Sequence, residues 1–246
     1  MTDAQVLRSQ AGRVVTLTLN RPDKLNALTA GVLRELRVHL AAIAKDDGVG
    51  CVVLAGAGRS FCAGHDLEAL AGGNALDSRY EEAETIDLLE ALPQPTIGRL
   101  QGHCLTGGLE LALGCDLLVA ASNVKIGDTH AKWGLVPVWG LSVRLPERVG
   151  MATAKRLMFS CEILDGAAAA AIGLVDESVA EAELDARIGR IAAQVAANSS
   201  QSHRINKTLL HAGRNTSREK ALRYERDMPF GQPSDSAERL AAVKVK

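Results

Sequence analysis

Gly102-His103-Cys104-Leu105-Thr106-Gly107-Gly108-Leu109-Glu110-Leu111-Ala112-Leu113-Gly114-Cys115 is the stretch on which the fold turns. Two short apolar runs flank it, Thr96 to Leu100 and Asp116 to Ala120, and each reads as a strand. Gly107-Gly108 opens a helix toward Leu113, so the local order is strand, helix, strand. A similar order recurs upstream. Val14 to Leu19 reads as a strand and runs into the turn Asn20-Arg21-Pro22-Asp23. Thr29 can cap a helix in which Val32, Leu33, Leu36, Leu40 and Ile43 recur at helical spacing. Cys51 to Leu54 is a short buried strand, and a glycine-containing stretch then runs to Gly64. Tyr80 to Leu92 reads as a helix stopped by Pro93 and Pro95. This alternation predicts an α/β fold.

The character changes from about Leu141, after which nearly everything reads as helix: Met151 to Ser160, Ala180 to Ala197, Gln201 to Ala212 and Ser217 to Arg226. Gly173-Leu174-Val175 is the one strand candidate there. No repeat or low-complexity linker divides the chain, so it reads as one folding unit. Within it, residues 1–190 form the core and 191–246 a helical C-terminal region.

Composition narrows the function. The 246 residues are 47% hydrophobic and 23% charged, enough apolar content for a core and too much for a disordered chain. The net charge of -1 argues against a nucleic-acid binder that relies on a phosphate-neutralising surface. No apolar run approaches the ~20 residues that span a bilayer. Met1 to Val15 has no cationic start followed by an apolar block, so a cytoplasmic protein is expected. The five cysteines, Cys51, Cys62, Cys104, Cys115 and Cys161, form no CxxC and read as free thiols. The histidines show neither HxxxH nor HExxH spacing, so no metal site is expected.

Two nucleotide motifs fail on inspection. Gly56-Ala57-Gly58 begins a GxGxxG, but Phe61 occupies the third glycine position. Gly102 to Gly107 has P-loop spacing, but Gly108 stands where the phosphate-binding lysine belongs. A different use of glycine fits better. Phe61-Cys62-Ala63-Gly64-His65-Asp66 and Leu105-Thr106-Gly107-Gly108-Leu109-Glu110 are loops of small residues, which let a ligand approach backbone N–H groups closely. Two such amides converging from separate loops make an oxyanion hole. Two roles suit Glu110, in the same helical turn: stabilisation of the helix N-terminus or acid–base chemistry.

These residues carry a resemblance. Leu19-Asn20-Arg21-Pro22-Asp23-Lys24-Leu25-Asn26-Ala27-Leu28, Ser60 to Leu67 and Gly102 to Asp116 resemble, in order and spacing, the enoyl-CoA hydratase/isomerase family, also called the crotonase family. Asp128 to Leu145 is similar more loosely, around Gly134, Pro137 and Gly140. The resemblance implies a crotonase-like ββα spiral core and a helical C-terminal trimerisation region. It also implies a CoA-thioester substrate, with coenzyme A part of the substrate and no separate cofactor. It places oxyanion amides on His65 and Gly107, and loops that clasp the CoA on Lys24, Leu25, Ala27, Ala63, Asp66 and Leu67. Lys24 also suits a solvated turn.

Departures from the family pattern sharpen the expectation. The first of the family's two catalytic glutamates falls on Glu110, and the second on His130, within Gly127-Asp128-Thr129-His130. Imidazole exchanges protons near neutrality, so His130 can serve as acid or base; a structural hydrogen bond to Asp128 is the other reading. Trp139 stands where relatives often carry small residues, and either fills part of the acyl pocket or belongs to the core. The expected activity is addition of water to an enoyl-CoA through a stabilised enolate, by a homotrimer or hexamer with no nucleic-acid or membrane partner. The alternatives are another activity of the family (isomerase, hydrolase or decarboxylase) and a non-catalytic acyl-CoA binder.

Overall fold

The computed structural model describes residues 4–66, 79–214 and 216–243. A hairpin begins it: β1 (Val6–Ala11) pairs antiparallel with β2 (Val14–Leu19). Each later strand of the main sheet joins in parallel: β3 (Cys51–Gly56), β4 (Thr96–Leu100), β6 (Leu117–Ala121) and β8 (Glu177–Val179), in spatial order β1-β2-β3-β4-β6-β8. A second, two-stranded parallel sheet joins β5 (His103–Leu105) to β7 (Lys125–Gly127). Chain leaving β4 therefore changes sheet within two residues. Gly102, at φ +59°, makes that corner, and a Cβ there would lie 1.9 Å from the Arg59 carbonyl oxygen.

Helix α1 (Ala30–Ile43) follows the sequence reading: the Thr29 hydroxyl accepts the Val32 N–H, and Val32, Leu33, Leu36, Leu40 and Ile43 are its buried residues. Helix α2 (Arg79–Glu90) packs beside α1. Helix α3 (Gly107–Leu113) is wholly buried. The C-terminal part supplies α4 (Leu141–Val149), α5 (Met151–Ser160), α6 (Gly166–Ala171), α7 (Leu184–Ala197), α8 (Ser200–Arg214), α9 (Arg218–Arg226) and α10 (Ser236–Val243).

Both faces of the main sheet are covered, as parallel strands require. On one face, Val52 and Leu54 join a large core with Leu17, Leu36, Phe61, Ile86 and Leu111. On the other, Cys51, Val53, Ile97, Val119 and Ala121 meet Leu184, Ile188, Ala192 and Ala196 of α7. Residue 190 lies inside α7, so the expected division at that point cuts a helix that covers the sheet.

Two expectations need correction. Gly173-Leu174-Val175 is a turn, and the strand begins at Glu177. Leu174 and Val175 are apolar because they are buried in the core. The Leu174 carbonyl accepts Arg148 Nε instead of a strand partner; the first backbone bond to β6 runs from Asp176 N–H to Leu118 O, and the paired register runs from Glu177. Asp116 lies just outside β6, where its carboxylate accepts the Thr96 N–H and hydroxyl and pairs with Lys207.

Candidate active site

A cavity of about 530 Å³ opens at the C-terminal ends of β5 and β7. Its lining includes Ala63, His65, Gly107, Glu110, His130 and Trp139.

The loop through residues 61–66 is held on two sides. Cys62 N–H donates to His103 O and Leu105 N–H to Cys62 O, which fixes it to β5. Ala63 N–H donates to Leu25 O, Leu28 N–H to Gly64 O and Asp66 N–H to Leu28 O, which fixes it to the 25–28 segment. Gly108 must be glycine, since a Cβ there would lie 2.4 Å from Cys62 O. This close approach brings the Gly107 and His65 amides together: a Cβ built on Gly107 would be 3.3 Å from His65 N. A Cβ built on Gly64 would be 3.7 Å from Gly107 N. Neither N–H has a protein acceptor among the described residues.

Thr106 reaches φ +54°, a left-handed conformation uncommon for a threonine. Its N–H donates to Gly127 O, and its hydroxyl bonds that of Thr129. These contacts join the loop after β5 to the loop after β7. Glu110 and His130 leave those two loops and meet. Glu110 Oε1 accepts the Trp139 N–H at 2.9 Å and the Leu141 N–H at 3.2 Å. Its Oε2 lies 3.6 Å from His130 Nε2. The other ring nitrogen of His130 is 2.6 Å from Asp128 Oδ1, which also accepts the His130 backbone N–H. All three side chains are buried. Burial raises the Glu110 carboxyl above its ordinary value, against the pull of His130 and the two amides.

His65 presents its ring as well as its amide to the cavity. The ring centroid is 5.2 Å from that of Trp139, Nδ1 is 3.2 Å from Asp66 O, and Nε2 is 3.7 Å from Glu82 Oε2. Burial lowers the His65 pKa, but the bond to Glu82 and the Asp66 carbonyl outweigh it, and the net shift is upward.

The expected ligand-clasping residues divide. Ala63 and Trp139 line the cavity. Lys24, Leu25 and Ala27 lie on the adjoining 24–28 segment, with Lys24 exposed, and none is part of the cavity lining. Asp66 is paired with Arg21 at 2.9 Å and is likewise outside the lining. Leu67 lies outside the described residues. Sequence reasoning missed the apolar lining from Leu135 and Val136, in a segment with no periodicity to mark it, and from Ile163, in the loop after α5; Trp133 and Val138 line the cavity as well. Among the described residues, no group of three or more His, Cys, Asp or Glu is arranged to hold a metal ion. No described helix is long and apolar enough to cross a membrane.

Known proteins share this arrangement of elements. The sequence profile described as enoyl-CoA hydratase/isomerase matches residues 9–243, so the chain belongs to that family, the crotonase family of enzymes. The crotonyl-CoA hydratase of Syntrophomonas wolfei is 31% identical over 231 residues, 92% of this chain and 89% of that protein. The short-chain-enoyl-CoA hydratase of Clostridium acetobutylicum is 32% identical over 231 residues, 92% and 88% of the two chains. The crystal structure of an enoyl-CoA hydratase from Bacillus anthracis matches with a TM-score of 0.94 and 31% identity, over 98% of this chain and 96% of that one. The fold is crotonase-like, as the sequence resemblance implied.

Proposed function

We propose that this chain hydrates an enoyl-CoA thioester. One observation carries the reading: Glu110 Oε2 and His130 Nε2 face each other at 3.6 Å beside two convergent backbone amides. The amides of His65 and Gly107 hold the thioester oxygen as it gains charge, the contribution such donors make to enolate-forming steps. Glu110 is fixed through one oxygen by Trp139 and Leu141, which leaves the other to accept a proton from water. That water attacks the β-carbon, and the electron pair of the double bond moves toward the thioester oxygen. His130, held at Nδ1 by Asp128, gives a proton from Nε2 to the α-carbon. The product is a 3-hydroxyacyl-CoA. Transfer of one proton from Glu110 to His130 restores the starting state. Two groups thus share the roles that two carboxylates play in the family pattern.

The 24–28 segment, with Lys24, Leu25 and Ala27, and the loop through Ala63 and Asp66 flank the CoA. Trp139 bounds the acyl group: a Cβ on Gly107 would lie 2.6 Å from its Cζ3, so the indole closes the cavity directly over the amides. The reaction uses no cofactor beyond the CoA of its substrate. Exposed apolar side chains such as Phe159 (77%) and Leu210 (72%) support assembly into a trimer or hexamer, the charge balance argues against nucleic-acid partners, and the free cysteines suit a reducing cytoplasm.

A panel of enoyl-CoA thioesters followed by mass spectrometry tests the reading. Gain of one water on the intact thioester is the expected result. Release of free CoA would replace it with hydrolysis at the carbonyl, and saturable binding without product would replace it with a non-catalytic role.

A further inference from the structure

We propose that Arg144 is a positioning residue for Glu110, acting through the backbone of Trp139 to Leu141; the proposal rests on the reading of Glu110 as the base. Arg144 does not line the active-site cavity, and its side chain is 10% exposed. Its Nη1 donates to Trp139 O at 2.8 Å. The same residue's N–H donates to Glu110 Oε1, and the Leu141 N–H donates to that oxygen from the far side of Gly140. Arg144 thus grips the outer face of the three-residue segment whose inner face grips the carboxylate.

The guanidinium is itself anchored. Nε donates to Glu90 Oε2 at 2.8 Å, and Nη2 lies 2.5 Å from Asp87 Oδ1 and 2.7 Å from Glu90 Oε2. Both carboxylates belong to α2. Arg214 of α8 holds the second oxygen of Glu90 at 2.6 Å and lies 3.6 Å from Glu147 of α4. The planar fork serves Trp139, Asp87 and Glu90 from three separate nitrogens, a spread that the single nitrogen of an ammonium does not reproduce. Gly140 makes room for it: its φ is +102°, and a Cβ there would lie 2.1 Å from Arg144 Nη1. The segment therefore needs both the left-handed glycine and the arginine to keep two amides aimed at one oxygen.

The experiment compares wild type with Arg144→Lys and, as a control, Arg148→Gln. Arg148 is another partly buried arginine, bonded to Leu174 O and Asp176 away from the Trp139 segment. Two readouts are taken: steady-state kinetics, and the titration of Glu110 by carbon-13 carboxyl NMR, assigned with Glu110→Gln. The charged groups facing Glu110 are His130 and Asp128, and they are unchanged in every variant compared. In Arg144→Lys the Glu110 midpoint moves up as its amides loosen, and kcat falls by about 10²-fold with KM little changed, the scale expected for misplacing a catalytic group. Arg148→Gln lowers Tm and leaves the midpoint where it was. A Glu110 midpoint in Arg144→Lys that coincides with wild type overturns the proposal. If Arg144→Lys does not fold, Glu90→Gln loosens the same anchor, and an unmoved midpoint there overturns it equally. A wild type that hydrates no enoyl-CoA overturns the reading of the reaction, while the titration still decides the role of Arg144.

Discussion

Glu110 Oε2 and His130 Nε2 lie 3.6 Å apart, each side chain held from behind, Glu110 by two backbone amides and His130 by Asp128. That separation leaves one water within reach of both. Glu110→Gln and His130→Ala should each lower kcat by roughly 10²–10⁴-fold, the scale for losing a general acid or base. KM for the CoA thioester should change little. Loss of hydration in Glu110→Gln alone, with His130→Ala near wild type, would reduce His130 to a structural hydrogen-bonding residue.

The pH profile follows from the burial of Glu110. Its carboxyl is raised above the ordinary value, first by desolvation, and the base must be ionised to work. Activity should therefore fall, on acidification, at a higher pH than an exposed glutamate would give. Stability has the opposite sign. The folded chain holds the Glu110 proton more tightly than the unfolded chain, so stability declines as pH rises between the ordinary and the raised value and stays lower above it. Glu110→Gln, which keeps an acceptor for the Trp139 and Leu141 N–H groups, should match or exceed wild-type Tm at neutral pH. A calorimetric scan across pH decides this, and a clear loss of Tm at every pH would refute it.

Gly107 tests the oxyanion hole. An alanine Cβ would lie 2.6 Å from Trp139 Cζ3 and 3.3 Å from His65 N, in the space the thioester oxygen must occupy. Gly107→Ala should lower kcat by roughly 10²–10³-fold, comparable to losing one oxyanion donor at about 2.7–4 kcal/mol. Trp139→Ala added to it removes the clash with the indole and leaves the one with the oxyanion. The double variant should fold as well as Trp139→Ala alone and stay slow. Recovery of full turnover would place the thioester elsewhere.

His65 gives a stability signature distinct from its amide. Its folded pKa is raised, net of burial, by the Glu82 carboxylate and the Asp66 carbonyl. The associated stability is fully present below the ordinary histidine value and is lost as pH rises through the folded value. The Tm gap between wild type and His65→Gln should therefore be widest in mild acid and narrow toward alkaline pH. A gap independent of pH would show that the ring contributes packing alone.

Assembly and cofactor independence are checked together. Light scattering in dilute buffer should give a trimer or hexamer, and a monomer of 26.0 kDa would refute it. Turnover should survive exhaustive dialysis against chelator, and restoration of lost activity by a divalent ion would overturn the proposed chemistry.

Long elements were legible because one physical signal dominated each. In α1 the cap at Thr29 and five apolar positions at helical spacing agree, and those five are its buried residues. In β3 all six residues are buried, which makes an uninterrupted apolar run. The short elements carried no such signal. Strands β5 and β7 have three residues each, too few to show alternation, and helix α6, Gly-Ala-Ala-Ala-Ala-Ala, has no polar face to contrast with an apolar one. Glu110 stood out beside the glycine pair, but His130 was nameable only through family resemblance, since it stands 20 positions further on and no spacing rule joins the two. The Asp128 contact was visible as a neighbour two positions away. The Arg144 clamp was not: its partners Asp87, Glu90 and Trp139 O come together only after α2 and α4 have packed.

The pairing of β5 with β7 has an evolutionary consequence. Leu105 stands opposite Gly127, and Thr106 bonds Thr129 just beyond, so the helix that carries Glu110 and the loop that carries His130 start from adjacent, tied strand ends. The amides that hold Glu110 and the convergent N–H groups make no bond to the side chain at position 130, so that side chain can be exchanged while they keep their places. On the proposed reading, one residue change on this scaffold exchanges a carboxylic acid for an imidazole beside an unaltered pair of amides.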